Sequence, residues 1–125
     1  NAVLRHAWLE QAAVLTPHPR AHALYADKRR LALFSNDGAL RALGVADDDR
    51  QVLLANVPRT EVVDEAHGDR LWAARRSLFF KPAAGFGSRA AYRGDKLTRR
   101  VWQEIMTGAY VAPNASLRIR RDCSP

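Results

Sequence analysis

The chain has 125 residues and a mass of 14.0 kDa, and its 47% apolar and 26% charged residues are typical of a single globular domain. No stretch reaches 18 consecutive apolar residues, and the first residues carry no basic-then-apolar leader, so neither a membrane span nor a secretory signal is expected. The single cysteine, Cys123, can form no internal disulfide, which favours a reducing, cytoplasmic compartment.

Positive charge is concentrated in one part of the sequence. Twenty Lys and Arg residues outweigh thirteen Asp and Glu residues, which gives a net charge of +7. Residues 70–100 alone hold nine basic residues against the single acid Asp95, so the rest of the chain is close to neutral. A focused positive field favours an anionic partner, either a nucleotide or nucleic acid, and a solvated basic face would have the same composition.

The first half of the sequence alternates helical patterns with turn signals. Apolar spacing predicts the helices, β-branched runs predict the strands, and proline and glycine predict where each ends. The predicted elements are, in chain order, a helix at 2–12, a strand at 13–16 that Pro17 stops, a helix at 21–33, a short helix opened by the turn at 35–38 and closed by Gly44, and a helix at 47–55 that begins with three aspartates.

The second half mixes short strands with two further helices. The predicted elements are a strand at 60–63, a helix at 69–76, strands at 77–80 and 90–92, a helix capped by Asp95 and ended by Gly108, and closing strands at 110–112 and 117–119. Trp8, Trp72 and Trp102 each lie on an apolar helical stripe, which predicts core packing. Because helices and strands alternate without a strict βαβ rhythm, the predicted class is α+β.

The segment 78–89 has the clearest chemical pattern. An apolar strand ends at Lys81, and a loop follows that contains Gly85, Gly87, Ser88 and Arg89. Glycines allow backbone N–H groups to turn toward an anion, while lysine, serine and arginine side chains add donors and charge. The pattern predicts a phosphate-binding loop at the tip of a β-hairpin, and a ligand-free hairpin with a Gly-rich turn would match it too. It fits neither a Walker A loop nor a dinucleotide fingerprint.

Two segments resemble the ATP-grasp family. The strand that ends in Lys81-Pro82 before a small, Gly-rich loop looks like the hairpin that covers the nucleotide in that family. The segment 26–33, with Asp27-Lys28 ahead of a helix, and the segment 40–45 together resemble the family's "Asp-Lys, helix, then Gly-hydrophobic" stretch. The run 81–98 is similar to an uncharacterised bacterial branch of ATP-grasp-like proteins, and the whole resemblance covers about residues 13–112.

The resemblance implies a partial ATP-grasp lobe, a small sheet with a Gly-rich β-hairpin packed on helices. Residues 1–45 would be the end of a preceding α/β domain with connecting helices, and residues 46–125 the first lobe, truncated before the metal-binding lobe. ATP would be the ligand. The residues expected to contact its phosphates are Lys28 and Lys81, with Gly85, Gly87, Ser88 and Arg89 as the loop.

The resemblance also implies an activity and what it requires. ATP-grasp enzymes phosphorylate a carboxylate and let an amine or a thiol capture the acyl-phosphate, and a second lobe holds magnesium against the phosphates. After Glu104 the only acid here is Asp122, so no metal site is expected in this chain. Magnesium would bind only together with the second lobe, the expected partner, and the chain alone is expected to be inactive.

The residues raise two other interpretations. The basic stretch alone would suit a small nucleic-acid-binding module, which is the alternative function. His18 and His22 have the i, i+4 spacing of metal ligands, but Pro19 lies between them and no carboxylate accompanies them, so no metal site is expected there.

Overall fold

The computed structural model describes residues 1–85 and 87–114, and they form an α+β fold, the class that the sequence predicts. These residues contain seven α-helices and a four-stranded antiparallel sheet. The helices are α1 (Ala2–Leu9), α2 (Pro19–Tyr25), α3 (Arg30–Phe34), α4 (Asp37–Ala42), α5 (Asp47–Asn56), α6 (Gly68–Ala74) and α7 (Arg99–Thr107). The strands are β1 (Thr60–Val62), β2 (Phe79–Pro82), β3 (Tyr92–Arg93) and β4 (Tyr110–Pro113). Two 3₁₀ turns, at Arg75–Ser77 and Gly94–Lys96, flank the β2–β3 hairpin.

The sheet has the strand order β1-β4-β2-β3, and each neighbouring pair is antiparallel. In the β2–β3 hairpin Phe80 lies opposite Tyr92, and β4 joins the other side of β2 with Val111 opposite Lys81. Successive residues of a strand point to opposite faces, so Phe80 is buried in the core while Lys81 is exposed on the other side. The strand thereby delivers a lysine to the end of the hairpin nearest the loop.

The hydrophobic core packs helices α6 and α7 against one face of the sheet. Phe80 meets the Trp102 ring edge-on, with the ring centres 5.4 Å apart. The buried members of the core are Val63, Leu71, Leu78, Phe80, Trp102, Ile105 and Ala112. Because Phe80 of β2 lies in this cluster, the core holds the strand that leads into the loop.

The two 3₁₀ turns pack against each other where the hairpin begins and ends. Gly94 is buried there, and a Cβ atom placed on it would lie 1.8 Å from the Arg75 carbonyl oxygen. No residue with a side chain fits such a close approach of two backbones. Glycine at position 94 therefore allows the turns that carry Arg75 and Lys96 to come together.

Hydrogen bonds join the segment around α3 to the sheet at two points. The Lys28 backbone N–H donates to the carbonyl oxygen of Ala83, just beyond β2, at 2.9 Å. Beyond the other end of α3, the Thr60 N–H of β1 donates to the Ser35 hydroxyl at 3.0 Å. These contacts bring Lys28 beside the loop that follows β2. The division of the chain at residue 45 stays a prediction.

The first 25 residues are the least buried part of the described chain. Neither α1 nor α2 has a buried residue, and the Trp8 ring is half-buried against the edge of the His18 ring, 5.7 Å away. The prediction that Trp8 packs in the core is therefore wrong, whereas Trp102 is a core residue and Trp72 packs against it. None of the helices in residues 1–85 and 87–114 is long and apolar enough to cross a membrane.

Two predictions for the first half are corrected by the structure. Residues 13–16 form no strand, and Val14 is 95% exposed, because an apolar run without a pairing strand has nothing to hydrogen-bond with. The helix predicted at 21–33 is interrupted after Tyr25. There the Asp27 carboxylate accepts hydrogen bonds from the Arg29 N–H and guanidinium, which favours a turn before α3 begins.

The cap of α7 is also corrected. Thr98, and not Asp95, caps the helix, because its hydroxyl accepts a hydrogen bond from the Val101 N–H. The Asp95 carboxylate instead pairs with the Arg93 guanidinium within the preceding turn. The returning strand of the hairpin is Tyr92–Arg93, two residues later than its predicted start. The strand predicted at 117–119 and Cys123 lie outside the described residues.

Candidate functional site

The loop between β2 and β3 has an unusual backbone. Gly85 and Gly87 have φ values of +137° and +66°, and Ser88 and Ala90 have +57° and +54°. Glycine adopts such values without steric cost, whereas serine and alanine do so at a cost in energy. The loop therefore bends tightly beyond the end of β2.

Lys28 binds this loop with both its backbone and its side chain. Besides the N–H bond to Ala83, the Lys28 ammonium Nζ donates to the Gly85 carbonyl oxygen at 3.1 Å, across 57 residues of sequence. The neighbouring Asp27 is held by Arg29, whose hydrogen bonds lower the Asp27 pKa to about 2. The Asp27 carboxylate is therefore paired with Arg29, and the Lys28 ammonium is free to bind the loop.

A small cavity lies between Lys28, the end of β2 and the loop. Its volume is about 150 Å³, and its lining consists of Lys28, Lys81, Pro82, Gly85, Gly87, Ser88, Arg89 and Ala91. All six residues that the sequence predicts for the site are in this lining. They come from two segments that are more than 50 residues apart, so the chain's fold brings them together.

The charge of the cavity is entirely positive. It has two of the chain's three lysines and one arginine in its lining, and none of its lining residues is acidic. Among the described residues, neither Lys81 nor Arg89 has a carboxylate within ion-pair distance. A cavity whose cations lack internal partners suits an anion that supplies the missing charge.

The size of the cavity limits what it can hold. At about 150 Å³ it has room for a phosphate group, yet it is smaller than the roughly 300–1,000 Å³ clefts that enclose a whole small-molecule ligand. The cavity can therefore hold a group the size of a phosphate, and it is too small to enclose a whole nucleotide.

Most of the other basic residues between 70 and 100 are engaged within the molecule. Arg70 pairs with Glu61, Arg93 with Asp95 and Arg100 with Glu104. Arg75 and Arg99 stack on the Trp72 ring, with their guanidinium carbons 4.0 and 4.2 Å from its centre. The structure therefore separates the basic strip of the sequence into cavity residues, paired arginines and a group around Trp72.

Sequence reasoning missed the group around Trp72. The three-residue spacing from Trp72 to Arg75 within a predicted helix was a usable signal, because such residues are neighbours on a helical surface. The contact with Arg99 had no such signal, since it depends on how α7 packs on α6. Arg99 is exposed, yet one side of its guanidinium covers the Trp72 indole.

A larger cleft of about 610 Å³ lies beside β1. Each acidic residue of its lining is paired with a basic side chain: Asp37 with Arg50 and Arg41, Glu61 with Arg70, and Asp64 with His67. The pKa of Glu61 is lowered chiefly by its hydrogen bond from Arg70, and that of Asp64 by the backbone N–H of His67. These interactions account for the acidic residues there without a ligand.

His18 is the N-cap residue of α2, and His22 lies within that helix. His18 precedes α2, and its ring Nδ1 accepts a hydrogen bond from the Ala21 N–H. In the part of the chain that the structure describes, no group of three or more His, Cys, Asp or Glu residues could hold a metal ion.

The cavity at the hairpin tip is therefore the candidate site: two lysines, an arginine, a hydroxyl and a glycine-containing loop around a space the size of a phosphate group. Comparison with protein-family models, with curated proteins and with solved structures gives no match for this chain.

Proposed function

We propose that this chain is the phosphate-binding part of an ATP-grasp-like, ATP-dependent ligase that joins a carboxylate to an amine or a thiol. The observation that carries the proposal is the convergence of Lys28, Lys81 and the loop 85–89 on one cationic cavity. The resemblance of both segments to ATP-grasp proteins supports the choice of ATP over other phosphate-bearing ligands.

Lys81 is the direct phosphate contact in this proposal. Its side chain is exposed one residue before β2 ends and the loop begins. An ammonium group there can donate to a phosphate oxygen. The positive φ values at Gly87, Ser88 and Ala90 curve the loop around the same space, where N–H groups and the Ser88 hydroxyl can donate to the remaining oxygens.

Lys28 contributes differently. One of its three donors is used on the Gly85 carbonyl, so it holds the loop against α3 while its charge stays at the cavity wall. Positive charge placed in advance around a phosphate stabilises the charge that develops during phosphoryl transfer. ATP bound there would supply the phosphoryl group that activates the carboxylate. Magnesium and the acceptor would be held by a second lobe, without which the described residues bind phosphate but do not catalyse.

The proposal is tested by titrating the chain with ATP and following backbone amide resonances by NMR. The expected shifts are confined to residues around 81–91 and 28, at millimolar nucleotide because only the phosphates are held. Lys81→Met removes one charge-assisted hydrogen bond and should weaken binding about ten- to a hundred-fold.

Lys96 provides the matched control, because it is the only other lysine and does not line the cavity. Lys96→Met removes the same charge and should leave ATP binding nearly unchanged. If ATP shifts no resonance of residues 81–91 in the well-folded chain, or if both variants lose binding equally, the proposed phosphate site is wrong.

A further inference from the structure

We propose that the group around Trp72 is a second anion-binding surface and that its ligand is single-stranded nucleic acid. We call it the Trp72 cluster and define it by Trp72, Arg75, Arg76, Lys96 and Arg99. The proposal does not depend on the nucleotide function, because the cluster lies at the opposite end of the hairpin from the cavity. Arg75 and Arg76 precede β2, whereas Lys81 stands near its end.

The two stacked arginines are held in fixed positions. Arg75 lies on the Trp72 ring and also donates from Nη1 to the Trp72 carbonyl oxygen at 2.8 Å. Arg99 lies on the same ring from the start of α7. Cation–π contacts of this kind order a guanidinium group without using its N–H donors. Both groups are therefore ready to bind phosphate at a small entropic cost.

The positive charge of the Trp72 cluster has no ion-pair partner among the described residues. In residues 1–85 and 87–114, no carboxylate lies within ion-pair distance of its arginines or of Lys96. Arg99 and Arg100 also occupy the first turn of α7, which has no acidic residue, so they oppose the helix dipole. The arrangement costs stability in the free chain, and an external polyanion would remove that cost.

The surroundings favour nucleic acid over an acidic protein. In residues 70–85 and 87–100 no large apolar side chain is exposed, whereas the centre of a protein interface needs apolar anchors. A guanidinium plane supported by an indole offers its outer face to a nucleobase, and its N–H edge to a phosphate. Bases are free to stack in this way only in a single strand.

The test measures binding of a fluorescently labelled oligothymidylate by anisotropy over a range of salt concentrations. Arg75→Gln and Arg99→Gln should each weaken binding about ten-fold. Each should also lower the slope of log affinity against log salt by about 0.7, the loss of one phosphate contact on a single strand. Arg70→Gln is the matched control, because it removes the same charge from α6 at a residue already paired with Glu61. Its affinity should change by about two-fold or less.

Three outcomes would overturn the proposal. An equal loss in Arg70→Gln would show that only net charge matters. A duplex of the same length binding as tightly would remove the role of stacked bases, and displacement by polyglutamate at equal charge would favour an acidic protein. NMR keeps the two proposals separate, because the oligonucleotide should shift residues 72–76 and 96–100, and ATP residues 81–91. Loss of either response leaves the other to be judged independently.

Discussion

The cavity at the hairpin tip and the Trp72 cluster at its base are both cationic, and they differ in what holds their cations. At the tip, backbone carbonyls and a bent loop hold Lys28 and surround a small space. At the base, an aromatic ring holds Arg75 and Arg99 on an open surface. A small cavity of about 150 Å³ suits one compact phosphate, whereas guanidinium groups on an open surface suit an extended chain of phosphates.

A count of charges along the sequence therefore does not identify the ligand of a basic region. Nine basic residues lie between 70 and 100, yet only Lys81 and Arg89 reach the cavity. Three others are neutralised by acids, and two are stacked on Trp72. What each basic residue can bind depends on whether the fold places a carboxylate or an aromatic ring beside it.

The largest expected effect comes from separating the two 3₁₀ turns that pack together at the base of the hairpin. Gly94→Ala would place a Cβ 1.8 Å from the Arg75 carbonyl oxygen, so one of the two 3₁₀ turns must move. We expect a loss of about 3–5 kcal/mol in the free energy of unfolding, measured by denaturant titration. Gly38→Ala, whose new Cβ meets only Asn36 Oδ1 at 3.5 Å, should be neutral or slightly stabilising in α4. Equal costs for the two variants would contradict the packing described at Gly94.

The next largest effect distinguishes the two cavity lysines. Lys28→Met removes the hydrogen bond to Gly85, so it should weaken ATP binding about ten-fold and also loosen the loop. Lys81→Met should weaken ATP binding without changing the loop, because the Lys81 side chain makes no hydrogen bond or ion pair with the described residues. Hydrogen exchange of the amides at 87–91 in the nucleotide-free chain measures the difference. Identical exchange in the two variants would mean that Lys28 does not hold the loop.

The sequence was a good guide where local signals and final structure agree. Asn36 ahead of α4, three aspartates at the start of α5 and the strand that ends in Lys81 each have the local chemistry of the element they form. The grouping of Lys28 with the loop came from a family resemblance, because no local pattern relates residues 28 and 85. The hydrogen bond between them depends on α3 lying against the sheet.

Other features depended on tertiary contacts that the sequence does not display. The apolar run at 13–16 has strand composition but no pairing strand, and Asp95 has cap chemistry but is bound by Arg93. The Trp72 cluster joins α6 to the start of α7, residues that are 27 positions apart, from Trp72 to Arg99. In each case a residue distant in sequence, or the absence of a pairing strand, decides which structure forms.

A smaller effect is the loss of stability that low pH should cause in the turn at Asp27, next to Lys28. The Arg29 hydrogen bonds lower the Asp27 pKa from 3.8 to about 2, so the carboxylate form stabilises the folded turn. That contribution is complete above about pH 4 and is lost as the pH falls through about 2. NMR titration of the Asp27 carboxyl carbon should give a midpoint at about 2, and Arg29→Gln should raise it toward 3.8. A midpoint for Asp27 that does not move in Arg29→Gln would show that the guanidinium does not cause the shift.

The smallest expected effect is the stability change on removing Arg99. Arg99→Gln loses a cation–π contact with Trp72 worth about 0.5–1 kcal/mol. It also relieves the repulsion between a cation and the positive end of α7, worth about 0.3–1 kcal/mol with the opposite sign. The free energy of unfolding should therefore change by less than about 0.5 kcal/mol. Thr98→Ala, one residue earlier, removes the helix cap and should cost about 1 kcal/mol. Denaturant titration of both variants makes the comparison.

If Arg99→Gln destabilises the fold as much as Thr98→Ala does, Arg99 serves the packing of α7 on Trp72, and its loss of nucleic-acid binding could be attributed to unfolding. If it leaves stability unchanged while weakening oligothymidylate binding ten-fold, the arginine is kept at a position where the fold alone gains nothing from its charge.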